Sequence, residues 1–80
     1  MPPPKNFHFT AHARQRGTER KISKELFAEV VLSPDRKTQQ YKGEHGGFVT
    51  HFIKRIDGSE VNIFAEIHKE DCYFVTGYWT

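Results

Sequence analysis

Hydrophobic positions recur with two different periods along this 80-residue chain, and the period changes near Pro34. Before this proline, apolar residues repeat at helical spacing, and after it they alternate with polar residues, which is typical of half-buried strands. The first pattern predicts a helix over residues 24–32, because Ser23 is a good N-cap and the turn sequence "SPD" follows. Another, less amphipathic helix is predicted over residues 11–20, with Thr10 as its N-cap.

Four strands are predicted in the second half of the chain. A polar segment, "KTQQYK", precedes two alternating segments, "FVTHFIKRI" and "EVNIFAEIH", and "CYFVTGYWT" supplies the last strand. The Asp57-Gly58 pair is typical of a two-residue hairpin turn of type I′, in which both residues have positive φ. The earlier segment "NFHFT" fits either a brief strand or a lead-in to the first helix. We therefore expect an α+β fold, with two N-terminal helices packed on a four-stranded antiparallel meander sheet.

The length of the chain predicts one domain. Residues 1–6, which include three prolines, are expected to form a flexible tail, and residues 7–80 to form the domain. The single cysteine, Cys72, excludes an internal disulfide framework. No apolar run approaches the roughly 20 residues that span a bilayer, and the N-terminal segment lacks the apolar region of a secretory signal. These observations favour a cytoplasmic protein without membrane contact.

Charge is distributed unevenly, although the net charge is only +2. Residues 1–42 carry a net charge of +5, whereas residues 43–80 carry −3. A basic first half indicates a surface suited to an anionic partner, of which RNA is one candidate.

No pattern in the sequence indicates a metal or an organic cofactor. His8 and His12 are four residues apart, but His8 is not followed by the glutamate of an H-E-x-x-H motif. Cys72 has no cysteine or histidine at a zinc-binding spacing, and no glycine-rich phosphate loop is present. We therefore expect neither a metal site nor a cofactor.

The stretch "HARQRGTER" contains the most suggestive chemistry, because His12, Arg16 and Arg20 follow one another at steps of four residues. On a helix these side chains share one face. Imidazole transfers protons near neutral pH, and guanidinium holds phosphate through paired hydrogen bonds. A metal-independent ribonuclease needs these groups, since RNA supplies its own nucleophile, the 2′-hydroxyl. Further candidates lie nearby or along the meander: Arg14, His51, Lys54, Arg55, His68, Thr76 and Tyr78.

A purely structural role is the alternative for these residues. His12 would then help to cap the first helix, and Arg16 and Arg20 would pair with Glu19 or Glu25. Tyr78 would belong to the core. Residue types and spacing alone leave both interpretations open.

A family resemblance extends the first interpretation. The pattern H-A-x-x-R-x-x-x-R-x-I-S, over residues 12–23, is followed by an apolar helix, "SPD" and a terminal "VTGY". It resembles a bacterial family of small domains, unknown-function family 4258, over about residues 9–79. That family is similar to the RelE/ParE and barnase/EndoU/colicin-nuclease group of small toxins, in which helices precede a curled antiparallel sheet and many members are ribonucleases.

The resemblance implies a site and partners. By resemblance, His12, Arg16, Arg20, Thr76 and Tyr78 would line the concave face of the sheet as catalytic residues. Arg14, His51, Lys54, Arg55 and His68 are the expected RNA-binding residues on the basis of residue type. The resemblance also implies a toxin-antitoxin system, with an antitoxin or another small protein as partner. The alternative of the same fold is a non-catalytic module that binds a protein or RNA.

Overall fold

The computed structural model describes residues 3–9 and 21–80 of the chain. One helix and five strands lie in these residues. Their order is β1 (Asn6–His8), α1 (Lys24–Leu32), β2 (Arg36–Lys42), β3 (Phe48–Ile56), β4 (Ser59–His68) and β5 (Asp71–Trp79).

The five strands form one mixed sheet in the order β1-β5-β4-β3-β2. Strands β2 to β5 make an antiparallel meander, and β1 pairs with β5 in the parallel direction, with Phe7 opposite Cys72. The predicted fold of two helices on a four-stranded antiparallel sheet is therefore wrong. A fifth, parallel strand is present, and the described residues contain one helix of nine residues. The helix predicted over residues 11–20 lies outside the described residues.

The helix predicted after Ser23 is confirmed as α1. The Ser23 side chain accepts a hydrogen bond from the backbone N–H of Leu26 at 3.1 Å, which satisfies one of the unpaired donors of the first turn. Phe27, Val30 and Val31 are buried against the sheet, whereas Leu32 is half exposed at the end of the helix. No helix in residues 3–9 and 21–80 is long and apolar enough to cross a membrane.

The core lies between α1 and one face of the sheet, which we call the proximal face. The ring of Phe27 is fully buried and contacts the rings of Phe7, Phe9 and Phe74 at centroid distances of 5.2–6.0 Å. Edge-on and tilted ring contacts of this kind let a small core bury a large apolar area. The buried apolar side chains grouped around these rings are Ile22, Val30, Val31, Phe52, Val61, Ile63, Ala65 and Cys72.

Two tight turns set the register of the meander. Asp57 and Gly58 have φ values of 50° and 83°, so the predicted type I′ turn is confirmed, and it places Ile56 opposite Ser59. A second two-residue turn places His68 opposite Asp71. Because side chains alternate between faces along each strand, this register also decides which residues share the face opposite α1, which we call the distal face.

The sheet begins inside the segment that the sequence predicts as a tail. The backbone N–H groups of Lys5 and Asn6 donate to the carbonyl oxygen of Glu70 at 2.8 and 2.9 Å, and Asn6 starts β1.

Candidate functional site

The distal face carries two rows of stacked rings. The central row contains His51, Phe64 and Tyr78, and crosses β3, β4 and β5. The end row contains His45, Tyr73 and His8. On β4, Phe64 in the central row and Glu66 beside the end row are two residues apart, which is about 7 Å along a strand. Two rows at this spacing make an extended aromatic surface.

In the central row, the imidazole of His51 lies flat against the ring of Phe64. The centroids are 4.2 Å apart and the planes differ by 13°. The ring of Tyr78 follows at 6.4 Å from that of Phe64, inclined by 28°. Tyr78 is 37% exposed, so the row ends at the protein surface.

Asn62 fixes the orientation and the tautomer of His51. Its amide nitrogen faces the carbonyl oxygen of Glu60 at 3.5 Å and the hydroxyl of Thr80 at 3.2 Å. A carbonyl oxygen only accepts, so the amide oxygen of Asn62 faces the other way and accepts from Nε2 of His51 at 2.9 Å. Neutral His51 therefore carries its proton on Nε2, and its lone pair lies on Nδ1.

In the end row, Tyr73 lies between two imidazoles. The His45 ring stacks on it at 3.7 Å with planes 3° apart, and the His8 ring at 4.6 Å with planes 14° apart. Two rings this close to Tyr73 do not fit on one side of it, so they cover its opposite faces.

Glu66 holds His45 in this position. Its carboxylate accepts from Nδ1 of His45 at 2.9 Å, and from the backbone N–H groups of His45 and Gly47 at 2.8 Å each. The Glu66 side chain is only 3% exposed. Burial alone would raise the pKa of Glu66, but the hydrogen bonds from His45 and Gly47 outweigh it, and the pKa is lowered from its usual range.

The loop of residues 43–47 approaches Glu66 closely. A Cβ atom at Gly43 would overlap the Glu66 side chain, so a larger residue at this position would displace the carboxylate from its hydrogen bonds with His45 and Gly47. Because a carboxylate only accepts, Nδ1 of His45 carries the proton, and the lone pair of the neutral imidazole lies on Nε2.

His8, on the edge strand β1, repeats this arrangement on the other side of Tyr73. Its Nε2 donates to Oδ1 of Asp71 at 3.0 Å, and the two side chains are 45% and 34% exposed. The hydrogen bond from His8 lowers the pKa of Asp71, against a smaller desolvation effect that raises it. The lone pair of neutral His8 then lies on Nδ1.

The imidazoles of His8, His45 and His51 are therefore held in the same way. Each ring stacks on an aromatic side chain, and each has one nitrogen committed to a carboxylate or amide oxygen. A base that is held in one tautomer by a third group is the arrangement used for proton transfer in catalytic sites. Stacked rings at a protein surface are also the contact that unpaired nucleobases make.

The structure brings several of the predicted site residues together on the distal face. Thr76 lies opposite Phe64 in the register and so flanks the central row, whose last ring, Tyr78, lies opposite Asn62. Arg55 is exposed on the same face, opposite Glu60. These positions agree with a shared site.

Other predicted site residues are separated from this group. Lys54 lies on the proximal face, where its ammonium donates to the carbonyl oxygen of Ser33 at 2.8 Å, next to the end of α1. His68 lies at the far end of β4, opposite Asp71. The four remaining residues, His12, Arg14, Arg16 and Arg20, lie outside the described residues.

The described residues contain one free thiol, that of Cys72. The Cys72 side chain is fully buried, and desolvation raises the pKa of its thiol to about 12. The thiol is therefore protonated at neutral pH and packs as a small apolar group. Within residues 3–9 and 21–80, no cluster of three or more His, Cys, Asp or Glu side chains is placed to hold a metal ion.

Sequence reasoning missed much of the distal face. The alternation of β4 predicts that Val61, Ile63 and Ala65 share one face. The alternate positions, Asn62, Phe64 and Glu66, are therefore predicted to share the other face. Neither Asn62 nor Glu66 was recognised, because such residues on a strand ordinarily face solvent. The other residues missed are His8, His45, Phe64, Asp71 and Tyr73.

Comparison of the chain with protein-family models, with curated proteins and with solved structures finds no significant match. The resemblance to a toxin-like family therefore stays a prediction, and the function has to be argued from the residues themselves.

Proposed function

We propose that the protein binds single-stranded RNA on its distal face and cleaves it as a metal-independent endoribonuclease. The observation that supports this proposal most directly is the central row, in which an imidazole of fixed tautomer, His51, stacks beside aromatic rings that reach the surface at Tyr78. It combines a surface for bases with a group for proton transfer.

The aromatic rings of the distal face account for the binding step. Base–aromatic stacking contributes about 1–3 kcal/mol per base and tolerates different sequences, because every base has a flat face. Single-stranded RNA exposes such faces, whereas a duplex does not. Arg55 supplies a cation on the same face for the phosphate backbone.

The proposed reaction uses the 2′-hydroxyl of RNA as nucleophile. Nδ1 of His51 takes the proton of this hydroxyl while the 2′-oxygen bonds to the adjacent phosphorus. The bond from phosphorus to the 5′-oxygen breaks, and the departing oxygen takes a proton from a second, protonated imidazole, for which His12 is the sequence candidate. The products are a 2′,3′-cyclic phosphate and a 5′-hydroxyl. Thr76 and Tyr78 would orient the phosphate, with Arg16 and Arg20 as further cations.

The test is cleavage of a 12-nucleotide RNA in EDTA by the full chain, with the 3′ ends identified by mass. We expect slow cleavage that leaves a cyclic phosphate, and no cleavage where the sugar at the scissile position is 2′-deoxy. His51→Ala should lower the rate about 10²–10⁴-fold, which is the contribution of one positioned acid or base. Cleavage of the deoxy substrate at the same site would contradict the mechanism.

A matched pair of variants tests whether RNA binds to the distal face. Arg55→Ala and Lys54→Ala remove equal charge from neighbouring residues on opposite faces of the sheet. RNA affinity should fall in the first variant and stay near the wild-type value in the second.

Loss of cleavage in His12→Ala with full activity in His51→Ala would assign the role of general base to His12, in the helix predicted over residues 11–20. No cleavage by the wild type would remove the catalytic part of the proposal.

A second candidate function is a non-catalytic module that binds another protein, such as an antitoxin. The observation in its favour is a groove of about 450 Å³ beside the end of α1, where Leu32 and Phe48 are 50% and 47% exposed. A small protein that copurifies with the wild type but not with Leu32→Ala or Phe48→Ala, together with absent RNA cleavage, would favour this function. The cytoplasm is the proposed setting for both functions.

A further inference from the structure

A second cavity, of about 320 Å³, opens on the distal face beside the end row, between the 43–47 loop and β5. Its walls include Tyr41, Lys42, His45, Val49, Tyr73 and Val75. The central row, which carries the proposed catalytic base, does not line it. A cavity of this size fits one flat heterocycle with its sugar.

Two β-bulges shape the cavity from opposite sides. In β2 the pairing with β3 slips between Gln39 and Tyr41, and in β5 the pairing with β4 slips so that Val75 is the extra residue. Bulges bend a strand, redirect its side chains and occur frequently beside functional sites. Here they accompany two exposed apolar side chains at the rim, Tyr41 at 55% and Val75 at 40% exposure.

The floor and one wall of the cavity are rigid. Val49 is 2% exposed, although it lies on the distal face, where α1 does not pack. His45 is held by Glu66 through its backbone and its ring, and is stacked on Tyr73. The Glu66 carboxylate already accepts three hydrogen bonds from His45 and Gly47, so its charge is satisfied within the protein. The cavity therefore offers flat, apolar walls prepared in advance, which lowers the entropic cost of binding a rigid ring.

The polar groups that line the cavity indicate which heterocycles it would bind. Because Nδ1 of His45 donates to Glu66, Nε2 of the neutral imidazole presents a lone pair, which accepts from an amino group. Adenine, cytosine and guanine donate from an exocyclic amino group, whereas the one ring donor of uracil, N3–H, lies between two carbonyl oxygens that the lone pair of His45 repels. Glu44, which also lines the cavity, supplies an acceptor for a ribose hydroxyl.

We infer that this cavity is a nucleobase subsite that takes one amino-bearing base of the RNA, beside the cleavage site on the central row. The inference rests on the proposed function, because RNA is the source of the base. It adds a preference for adenine, cytosine or guanine over uracil, set by His45. It also assigns base selection and proton transfer to two different residues, His45 and His51.

The test is an NMR titration of the full chain with AMP, CMP, UMP and ribose 5-phosphate at pH 7.5, where most imidazoles are neutral. AMP and CMP should shift the signals of Tyr41, His45, Tyr73 and Val75, and UMP should bind at least fivefold more weakly. Equal affinities for all three nucleotides, or equal shifts with ribose 5-phosphate, would overturn the inference.

Two variants complete the experiment. Tyr41→Ala should weaken AMP binding about fivefold or more, which corresponds to the lower end of a stacking contribution. Phe48→Ala removes a similarly exposed ring from the proximal face and should leave AMP affinity unchanged. Equal losses in both variants would overturn the subsite.

Failure of this inference is distinguishable from failure of the proposed function. If AMP does not bind while wild-type RNA cleavage depends on His51, the subsite is wrong and the ribonuclease stands. If AMP binds as described and no RNA is cleaved, the subsite stands as a nucleotide-binding site and the catalytic proposal is wrong.

Discussion

Strand β4 gives its two sets of alternate side chains to two different environments. Val61, Ile63 and Ala65 face α1 and are fully buried. Between them, Asn62 and Glu66 face the distal side and are nearly as buried, at 5% and 2% exposure. The difference lies in what surrounds them, since apolar packing buries the first set and hydrogen-bonded rings and loops bury the second.

This difference supports the proposal that the distal face is the functional one. Burying apolar side chains stabilises the fold directly, whereas a buried polar group contributes little net stability and costs free energy if one partner is lost. The fully satisfied contacts of Asn62 and Glu66 instead hold His51 and His45 in defined positions. Precision of this kind is expected of a binding or catalytic surface.

The largest effect should come from the proximal face. Phe27→Ala removes a fully buried ring that contacts three other phenylalanines, so we expect a loss of about 3–5 kcal/mol in the free energy of unfolding. Urea denaturation measures this loss. Leu32→Ala, in the same helix at a half-exposed position, should change stability by less than about 0.5 kcal/mol. A loss in Phe27→Ala as small as that expected for Leu32→Ala would show that the Phe27 ring is not central to the core.

An intermediate effect is expected from the buried carboxylate of the distal face. Glu66→Gln keeps the shape but weakens charge-assisted hydrogen bonds from His45 and Gly47, so stability at pH 7 should fall by about 1–3 kcal/mol. Glu44→Gln, in the adjacent loop and exposed, is the control and should have little effect.

The same variant should alter the response to acid. The pKa of Glu66 is lower in the folded protein than its usual value of 4.5, so the unfolded chain binds this proton more readily. The contribution of Glu66 is therefore complete above pH 4.5 and is lost as the pH falls through the folded pKa. Unfolding midpoints measured from pH 7 to pH 3 should fall less steeply in Glu66→Gln than in the wild type. If the unfolding midpoint fell equally steeply with pH in both proteins, this would contradict the hydrogen bonds assigned to Glu66.

Local signals explain why parts of the fold were predictable. The N-cap Ser23 and the apolar spacing through Val31 define α1 within a few residues, and Asp57-Gly58 defines a hairpin without reference to the rest of the chain. The alternation of apolar residues places β3 to β5 for the same reason. Each of these elements is specified by neighbours in sequence.

Long-range pairings explain what was missed. Strand β1 has three residues, too few for a recognisable alternation, and its partner residues in β5 lie more than 60 positions away. Of the site residues, His51 and Tyr78 were identified by residue type, but the contact that fixes His51 comes from Asn62, on the next strand. The roles of His8 and His45 likewise depend on Asp71 and Glu66, which only the completed sheet brings within reach.

The smallest effect should come from Asp71, the partly exposed carboxylate beside the end row. Asp71→Asn weakens the hydrogen bond from His8, but both side chains are partly exposed, so water and salt screen the interaction. The pKa of Asp71 is also lowered, from a usual value of 3.8, so its contribution is complete above that pH and is lost as the pH falls further. We expect Asp71→Asn to destabilise the protein less than Glu66→Gln at pH 7, and the difference from wild type to shrink in 1 M salt, where the screening length is about 3 Å. Paired urea titrations at low and high salt measure this. If Asp71→Asn were as costly as Glu66→Gln and insensitive to salt, burial would not be what distinguishes the two carboxylates, and His8 would be held as firmly as His45.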